Sequence, residues 1–272
     1  MSNVIELEIA GIRAGLEITD AALSAQVRER YAEFIVANGR PHTHVRVAVI
    51  AGARFVPPRS GPWAIETYRD GNHLIYRSYY DAAWVNLERG YGLLELAPES
   101  DVENFLRVLY AQLGLRVGAL LLHAAGVVKD HAGYVFFGAS GSGKTTIAQF
   151  ARELGYTVLS DDLVVVKKND ASVRVFGVPF RGGEMTDAPR VNHSARVAGL
   201  YALAHAPRHR LAALAPSDAV ARLAACAPFV MAESASARCV MTLCSDLVAR
   251  VPVRELHFNR DAGFWRVINE MG

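Results

Sequence analysis

The chain has little of what would place it outside ordinary globular proteins. It carries only three cysteines in 272 residues, Cys226, Cys239 and Cys244. That excludes a disulfide framework, and their spacing excludes a cysteine zinc site. They read as reduced, mostly buried thiols. No block of five or more like charges occurs, and 29 basic residues face 27 acidic ones, for a net charge of +2. Nothing in that balance suggests a nucleic-acid partner. The longest apolar run, "VGALLLHAAGVV", is too short to span a membrane and contains His123. The start, "MSNVIELEIAG", has neither a basic region nor a long apolar core, so no secretory signal is expected and the expected location is cytoplasmic. There is no internal repeat and no low-complexity tract. What remains is a chain 51% hydrophobic, enough for one large domain or for two lobes.

Two halves differ in pattern. Up to about residue 97 the sequence is β-rich: "NVIELEIAGIRAGLEI", "HTHVRVAVIA" and "HLIYRSYY" alternate at period two. "AWVNLERGYGLLELAP" reads as two short strands about a turn. One helix, "AALSAQVRERYAEFIVANG", is expected to interrupt them, with Gly39 as its C-cap. Beyond Pro98, Ser100 or Asp101 can cap a helix, "ESDVENFLRVLYAQLGL". "GALLLHAAGVVKDHAGYVFFG" predicts two strands joined by a turn near Asp130 to Gly133. Then follow the helix "KTTIAQFARELGY" and the strands "TVLSDD", "LVVVKK" and "SVRVFGVPF". Arg181 to about Arg196 predicts a long loop, and the remainder is expected to be helix-rich with one last strand, "VRELHFN". The expected division is a β-rich lobe over 1–112 and a second domain over 113–272.

The clearest chemistry lies in "FFGASGSGKTT". Gly138, Ala139, Ser140, Gly141, Ser142, Gly143, Lys144 and Thr145 fit G-x-x-x-x-G-K-[ST] at every fixed position, with Thr146 following. A strand precedes the motif and an amphipathic helix follows it. Glycines let successive backbone N–H groups converge on phosphate oxygens, and the helix N-terminus adds positive potential. The expected ligands are ATP and Mg²⁺, with Lys144 on the β- and γ-phosphates and the Thr145 hydroxyl on the ion.

Two further features flank the loop. Asp161 and Asp162 follow Lys144 by seventeen and eighteen residues, at a strand end where two carboxylates could hold a metal ion and accept a proton. Adjacent side chains on a strand point to opposite faces, and a kink relaxes that rule. Alternatively, the pair is a surface turn. His123 sits in an apolar strand, where a histidine is usually a hydrogen-bonded core residue. A neighbouring strand end could bring it to the aspartates.

Together, the "LHAAGVV" histidine strand, the phosphate loop and the Asp-Asp pair one helix later resemble the catalytic domain of bacterial HPr kinase/phosphorylase. That domain shares its nucleotide-binding design with the ATP-dependent phosphoenolpyruvate carboxykinases. The resemblance covers about residues 115 to 180. It continues more loosely through "GVPFRGGE" and "AGLYALAHAPRHRLAALAPSDAVARL", which resemble HPr-kinase-related proteins found beside peptide-binding modules in peptide-modification systems. It implies an α/β (α+β) fold with a mixed central β-sheet P-loop kinase core, a β-rich N-terminal lobe and C-terminal helices. It implies an ATP-dependent kinase that moves the γ-phosphate to a hydroxyl, chiefly a serine of a peptide or small protein. Asp161 would be the general base, Asp162 would assist the metal, and His123 would orient Asp161. An arginine should stabilise the transferring group, with Arg181 preferred over Arg190 and Arg196. The Arg-Gly-Leu-Gly type stretch of the bifunctional enzymes is missing, so neither phosphorylase activity nor HPr as acceptor is implied. Other readings stay open: a free-serine kinase, a nucleotide-binding regulator without phosphotransfer, or a simple ATPase. No membrane partner is expected, and a homo-oligomer is left open.

Overall fold

The computed structural model describes residues 4–37, 39–56, 65–169, 171–180 and 191–270. The chain divides into two compact units, Met1–Leu113 and Gly114–Gly272. The class is mixed α+β, built on two large sheets.

The first unit follows the period-two pattern. β1 (Val4–Ile9) and β2 (Ile12–Ile18) form a hairpin whose turn, Ala10 and Gly11, has positive φ at both positions. That is the turn geometry that matches strand twist. Ile5, Leu7 and Ile9 of β1, with Leu16 and Ile18 of β2, bury one face. α1 (Ala21–Arg30) starts at Asp20, whose carboxylate accepts the Leu23 N–H. It stops well short of Gly39, where the sequence reading had ended it. Tyr31 and Phe34 are fully buried anchors in a tight turn, and Ile35–Val36 become a short strand, β3, along the edge of β1. β-branched residues at an open sheet edge gain ladder hydrogen bonds that a helix on this segment would forgo. Gly39 is therefore no helix cap; its N–H donates to Glu6. The sheet continues through β4 (Thr43–Val49), β5 (Glu66–Asp70), β6 (His73–Arg77), β7 (Asp81–Asn86) and β8 (Tyr91–Leu96), in the order β3-β1-β2-β4-β8-β7-β6-β5. α2 (Glu103–Arg116) packs apolar residues there, with Phe105 edge-on to Tyr76 and the Tyr110 hydroxyl donating to the Leu7 carbonyl.

In the second unit, β9 (Ala119–Lys129) and β10 (Ala132–Phe137) form the expected hairpin. Asp130 and His131 take positive φ in its two-residue turn. α3 (Lys144–Glu153) follows, then β11 (Thr157–Ser160), β12 (Leu163–Lys168) and β13 (Val173–Phe176). The next element corrects the sequence reading. Ser194–His205 is one long strand, β14, where a loop end and helices were expected. It pairs parallel with β10 and antiparallel with β13, so that β10-β9-β12-β13-β14 closes on itself as a five-stranded ring. The mixed sheet is therefore closed over these strands. A ring this narrow needs small residues inside: a Cβ on Gly133 would lie 2.6 Å from Val175, and one on Gly126 would lie 2.8 Å from Val164. β15 (Arg210–Ala213) and β16 (Val253–Phe258) extend the sheet from β14. α4 (Pro216–Ala224), α5 (Ser234–Arg250) and α6 (Phe264–Asn269) complete the unit. Phe136, Ile147, Tyr201, Phe258, Phe264 and Trp265 form the core beneath α3.

Candidate functional site

The glycine loop spans the gap between β10 and α3. Gly143, the residue before α3, holds φ at +100°, and a Cβ there would sit 2.5 Å from Phe258. Only glycine fits both the dihedral and the space. Gly141 also has positive φ, but a Cβ there would meet nothing within 4 Å. The loop is braced from within, with the Ser142 N–H donating to the Ala139 carbonyl at 3.1 Å and His205 bonding the Gly141 carbonyl at 3.1 Å. No side chain caps α3 among the described residues, so its first N–H groups face the loop. Lys144 is 6% exposed, and its Nζ donates to the Gly138 and Ala139 carbonyls, each at 3.1 Å. Burial lowers its pKa; Cys226, Asp162 and Asp161 oppose that shift.

The two aspartates leave the sheet at a bend. β11 and β12 run in succession along β9, with Ser160 opposite Gly126 and Leu163 opposite His123. Between them the Ser160 hydroxyl accepts the Asp162 and Leu163 N–H groups, each at 3.2 Å. Away from regular strand geometry the two carboxylates part. Asp161 turns inward to 6% exposure, with the Thr145 side chain near enough to lower its pKa. Its Oδ2 is buried with no partner among the described residues. Desolvation raises its pKa, the Thr145 side chain and its own backbone lower it, and Asp162 raises it again.

Asp162 instead meets His123, whose Nε2 lies 3.1 Å from Oδ1. The expected His123–Asp161 pairing is thus corrected: β9 register sets His123 beside Leu163, and the Ala124 N–H donates to the Asp162 carbonyl at 2.9 Å, which brings Asp162 to the imidazole. The His123 N–H donates to the Cys226 carbonyl at 2.7 Å, so the end of α4 is fastened to the same strand.

His123, Gly138, Ala139, Ser140, Ala202 and Cys226 line a pocket of 530 Å³ that Arg222 also borders. Arg222 is anchored to Glu255, and Glu255 also bonds His257 at 2.8 Å. Sequence reasoning missed Arg222, because an arginine on an amphipathic helix reads as a solvated face. Of the arginines it named, Arg181 and Arg190 lie outside the described residues, and Arg196 is an exposed residue of β14 that does not line the pocket. Ser140 and Thr146 stand where expected, in the loop and in the first turn of α3. Among the described residues no group of three or more His, Cys, Asp or Glu side chains could hold a metal alone. A magnesium ion here would need phosphate oxygens and water besides protein ligands, its usual habit. The buried, unpaired Oδ2 of Asp161 beside the Thr145 hydroxyl fits such an ion.

The fold and site define a two-unit α+β protein with a lysine-bearing glycine loop facing paired acidic residues. A family profile described as "SynChlorMet cassette protein ScmC" matches residues 101–271, well over half of the chain, and the protein belongs to the ScmC family. No curated protein sequence matches it. Among solved structures, the HPr(Ser) kinase/phosphatase from Coxiella burnetii aligns with 35% of this chain and 72% of its own, at 16% identity and a TM-score of 0.24. That similarity is too slight to carry an argument about fold or chemistry. No described helix is long and apolar enough to cross a membrane.

Proposed function

We propose that the second unit is an ATP-dependent kinase core of the HPr kinase/phosphoenolpyruvate carboxykinase design. Its reaction moves the γ-phosphate to a hydroxyl, chiefly a serine of a peptide or small protein in the cytoplasm. One observation carries the reading: Lys144 is buried with its Nζ inside the glycine loop, while the Asp161 carboxylate, one helix later, is buried with Oδ2 unpartnered among the described residues. A loop that only turned a chain would have no use for a buried lysine with a buried acid left unsatisfied nearby. Bound Mg²⁺ would supply charge neutralisation on the nucleotide, with Thr145 and one of the two aspartates as its protein ligands. The loop N–H groups and Lys144 would bind the phosphates in ATP and hold them for in-line transfer. In place of the arginine sought among Arg181, Arg190 and Arg196, Arg222, which borders the pocket with Gly138 and Ala139, would face the transferring group.

The test is transfer from γ-labelled ATP in the presence of Mg²⁺ to L-serine and to serine-containing peptides. Wild type should label a hydroxyl, and Lys144→Ala should lower the rate by at least about 100-fold. Tight ATP binding with no transfer to any of these acceptors would replace the kinase by a nucleotide-dependent regulator.

A further inference from the structure

We propose that the adjacent carboxylates divide the chemistry in the order opposite to the one the resemblance implies: Thr145 and Asp161 hold the divalent ion of the nucleotide, while His123, backed by Asp162, faces the acceptor and receives its proton. The proposal rests on the kinase reading and assigns roles within it.

Three observations carry it. Asp161 is 94% buried by its 6% exposure and is not part of the pocket wall, so an acceptor seated in the pocket does not reach it. Its Oδ2 is buried without a partner among the described residues, and the Thr145 side chain lies close enough to favour its charged form. A hydroxyl and a carboxylate oxygen side by side at a helix N-terminus are hard oxygen donors of the type magnesium takes alongside phosphate. His123, by contrast, lines the 530 Å³ pocket with its side chain 39% exposed, and its ring is oriented by Asp162. A carboxylate on one ring nitrogen fixes the tautomer and leaves the other nitrogen as acceptor. With Nε2–H donating to Asp162, the accepting atom is Nδ1.

The step balances without another reactant. The acceptor oxygen bonds to the γ-phosphorus as the bond from that phosphorus to the β–γ bridging oxygen breaks. ADP leaves with that electron pair, and the hydroxyl proton passes to His123 Nδ1. Asp162 acts through His123 and is a positioning residue.

The experiment separates ion from proton. Mn²⁺ is titrated into the full chain with a non-hydrolysable ATP analogue, and the free-ion paramagnetic resonance signal is followed. Even outer partners of a metal cost roughly 10–100-fold in affinity when lost, so Asp161→Asn and Thr145→Ala should weaken Mn²⁺ by at least about tenfold, Thr145→Ser should restore it, and Asp162→Asn and His123→Gln should stay within about twofold. Thr145→Ala also guards against a folding defect in Asp161→Asn, because it leaves the buried acid in place. In transfer from labelled ATP, Asp162→Asn should lower kcat with KM for the nucleotide unchanged, and added imidazole should partly restore His123→Gly. If Asp162→Asn loses the ion while Asp161→Asn keeps it and loses only transfer, the division of roles is overturned and the kinase stands. If wild type neither binds Mn²⁺-nucleotide nor transfers phosphate, both are overturned.

Discussion

Each unit buries an aspartate, and the two are treated in opposite ways. Asp81, in the first unit, is 1% exposed; Asp161, in the second, is 6% exposed. Burial raises the pKa of both. Around Asp81 the polar groups close: the Tyr76 hydroxyl donates to Oδ2 at 3.0 Å, the Ser78 hydroxyl bonds Oδ1, and the Ser78 N–H donates to the Asp81 carbonyl at 2.7 Å. Around Asp161 they do not, because Oδ2 is buried with no partner among the described residues. A satisfied buried acid holds a fold together. A half-satisfied one costs stability and is retained where something else completes it.

The sharpest way to break that comparison is to remove each acid and read both stability and activity. Asp161→Asn should lower phosphoryl transfer by roughly 100- to 1,000-fold, while thermal melting stays at or above wild type, since an isostere removes a buried charge without opening a cavity. Asp81→Ala should do the reverse: transfer unchanged per folded molecule, and stability lower by about 1–3 kcal/mol at neutral pH as the Tyr76 and Ser78 hydroxyls lose their acceptor. If Asp161→Asn melts well below wild type while Asp81→Ala loses transfer, the comparison is inverted.

How much of this was legible in the sequence depends on range. The glycine loop was, because its residue types answer to local backbone geometry: the left-handed Gly143 and the lysine that opens α3 adjoin in sequence. The carboxylates were legible as a pair, but their separate fates were not. Those are set at the bend by Ser160 and by which β9 residue stands opposite Leu163. β14 was missed because "SARVAGLYALAH" is rich in alanine with a central glycine, a composition with low strand propensity. Long-range pairing with β10 and β16 decides its state, and no local pattern reports that pairing or the ring it closes. The helix drawn through to Gly39 failed for the same reason, since the competing partner, β1, lies some thirty residues earlier.

The pH response of the first unit gives the next largest effect. The Asp81 carboxyl is pushed up to about 6, chiefly by burial, with the Tyr76 bond acting against that shift. A raised folded pKa means the native state holds the proton more tightly than the unfolded chain does. The associated stability is complete below the ordinary carboxyl value of 3.8 and is lost as pH rises through about 6. Melting of wild type against Asp81→Ala across that window should show the mutational loss shrinking with rising pH, by up to about 3 kcal/mol at about 1.4 kcal/mol per unit. A loss that grows with pH would mean that Asp81 is stabilised as a charge.

Glycines of the two units offer a smaller test of the same contrast between a constrained site and an open scaffold. Gly52 of the first unit and Gly143 of the second both have positive φ, but a Cβ on Gly52 meets nothing within 4 Å, whereas one on Gly143 would lie 2.5 Å from Phe258. Gly52→Ala should cost only the dihedral, about 1 kcal/mol, while Gly143→Ala adds overpacking of roughly 1–3 kcal/mol and displaces the start of α3. Chemical denaturation together with nucleotide binding reads both; equal losses at the two positions would remove the special status of the loop.

The smallest effect probes the closure around Asp81 itself. Tyr76→Phe removes one donor and leaves the Ser78 bond, at a cost of about 1 kcal/mol. The Tyr76 bond favours the charged carboxylate, so its removal should push the Asp81 pKa further up and carry the pH-dependent loss above about 6. The parallel change in the second unit, Thr145→Val, removes a hydroxyl beside a buried acid, yet it should cost nucleotide binding more than it costs melting temperature. A carboxylate held for structure passes the loss of a partner to the fold, whereas one held for a ligand passes it to the ligand.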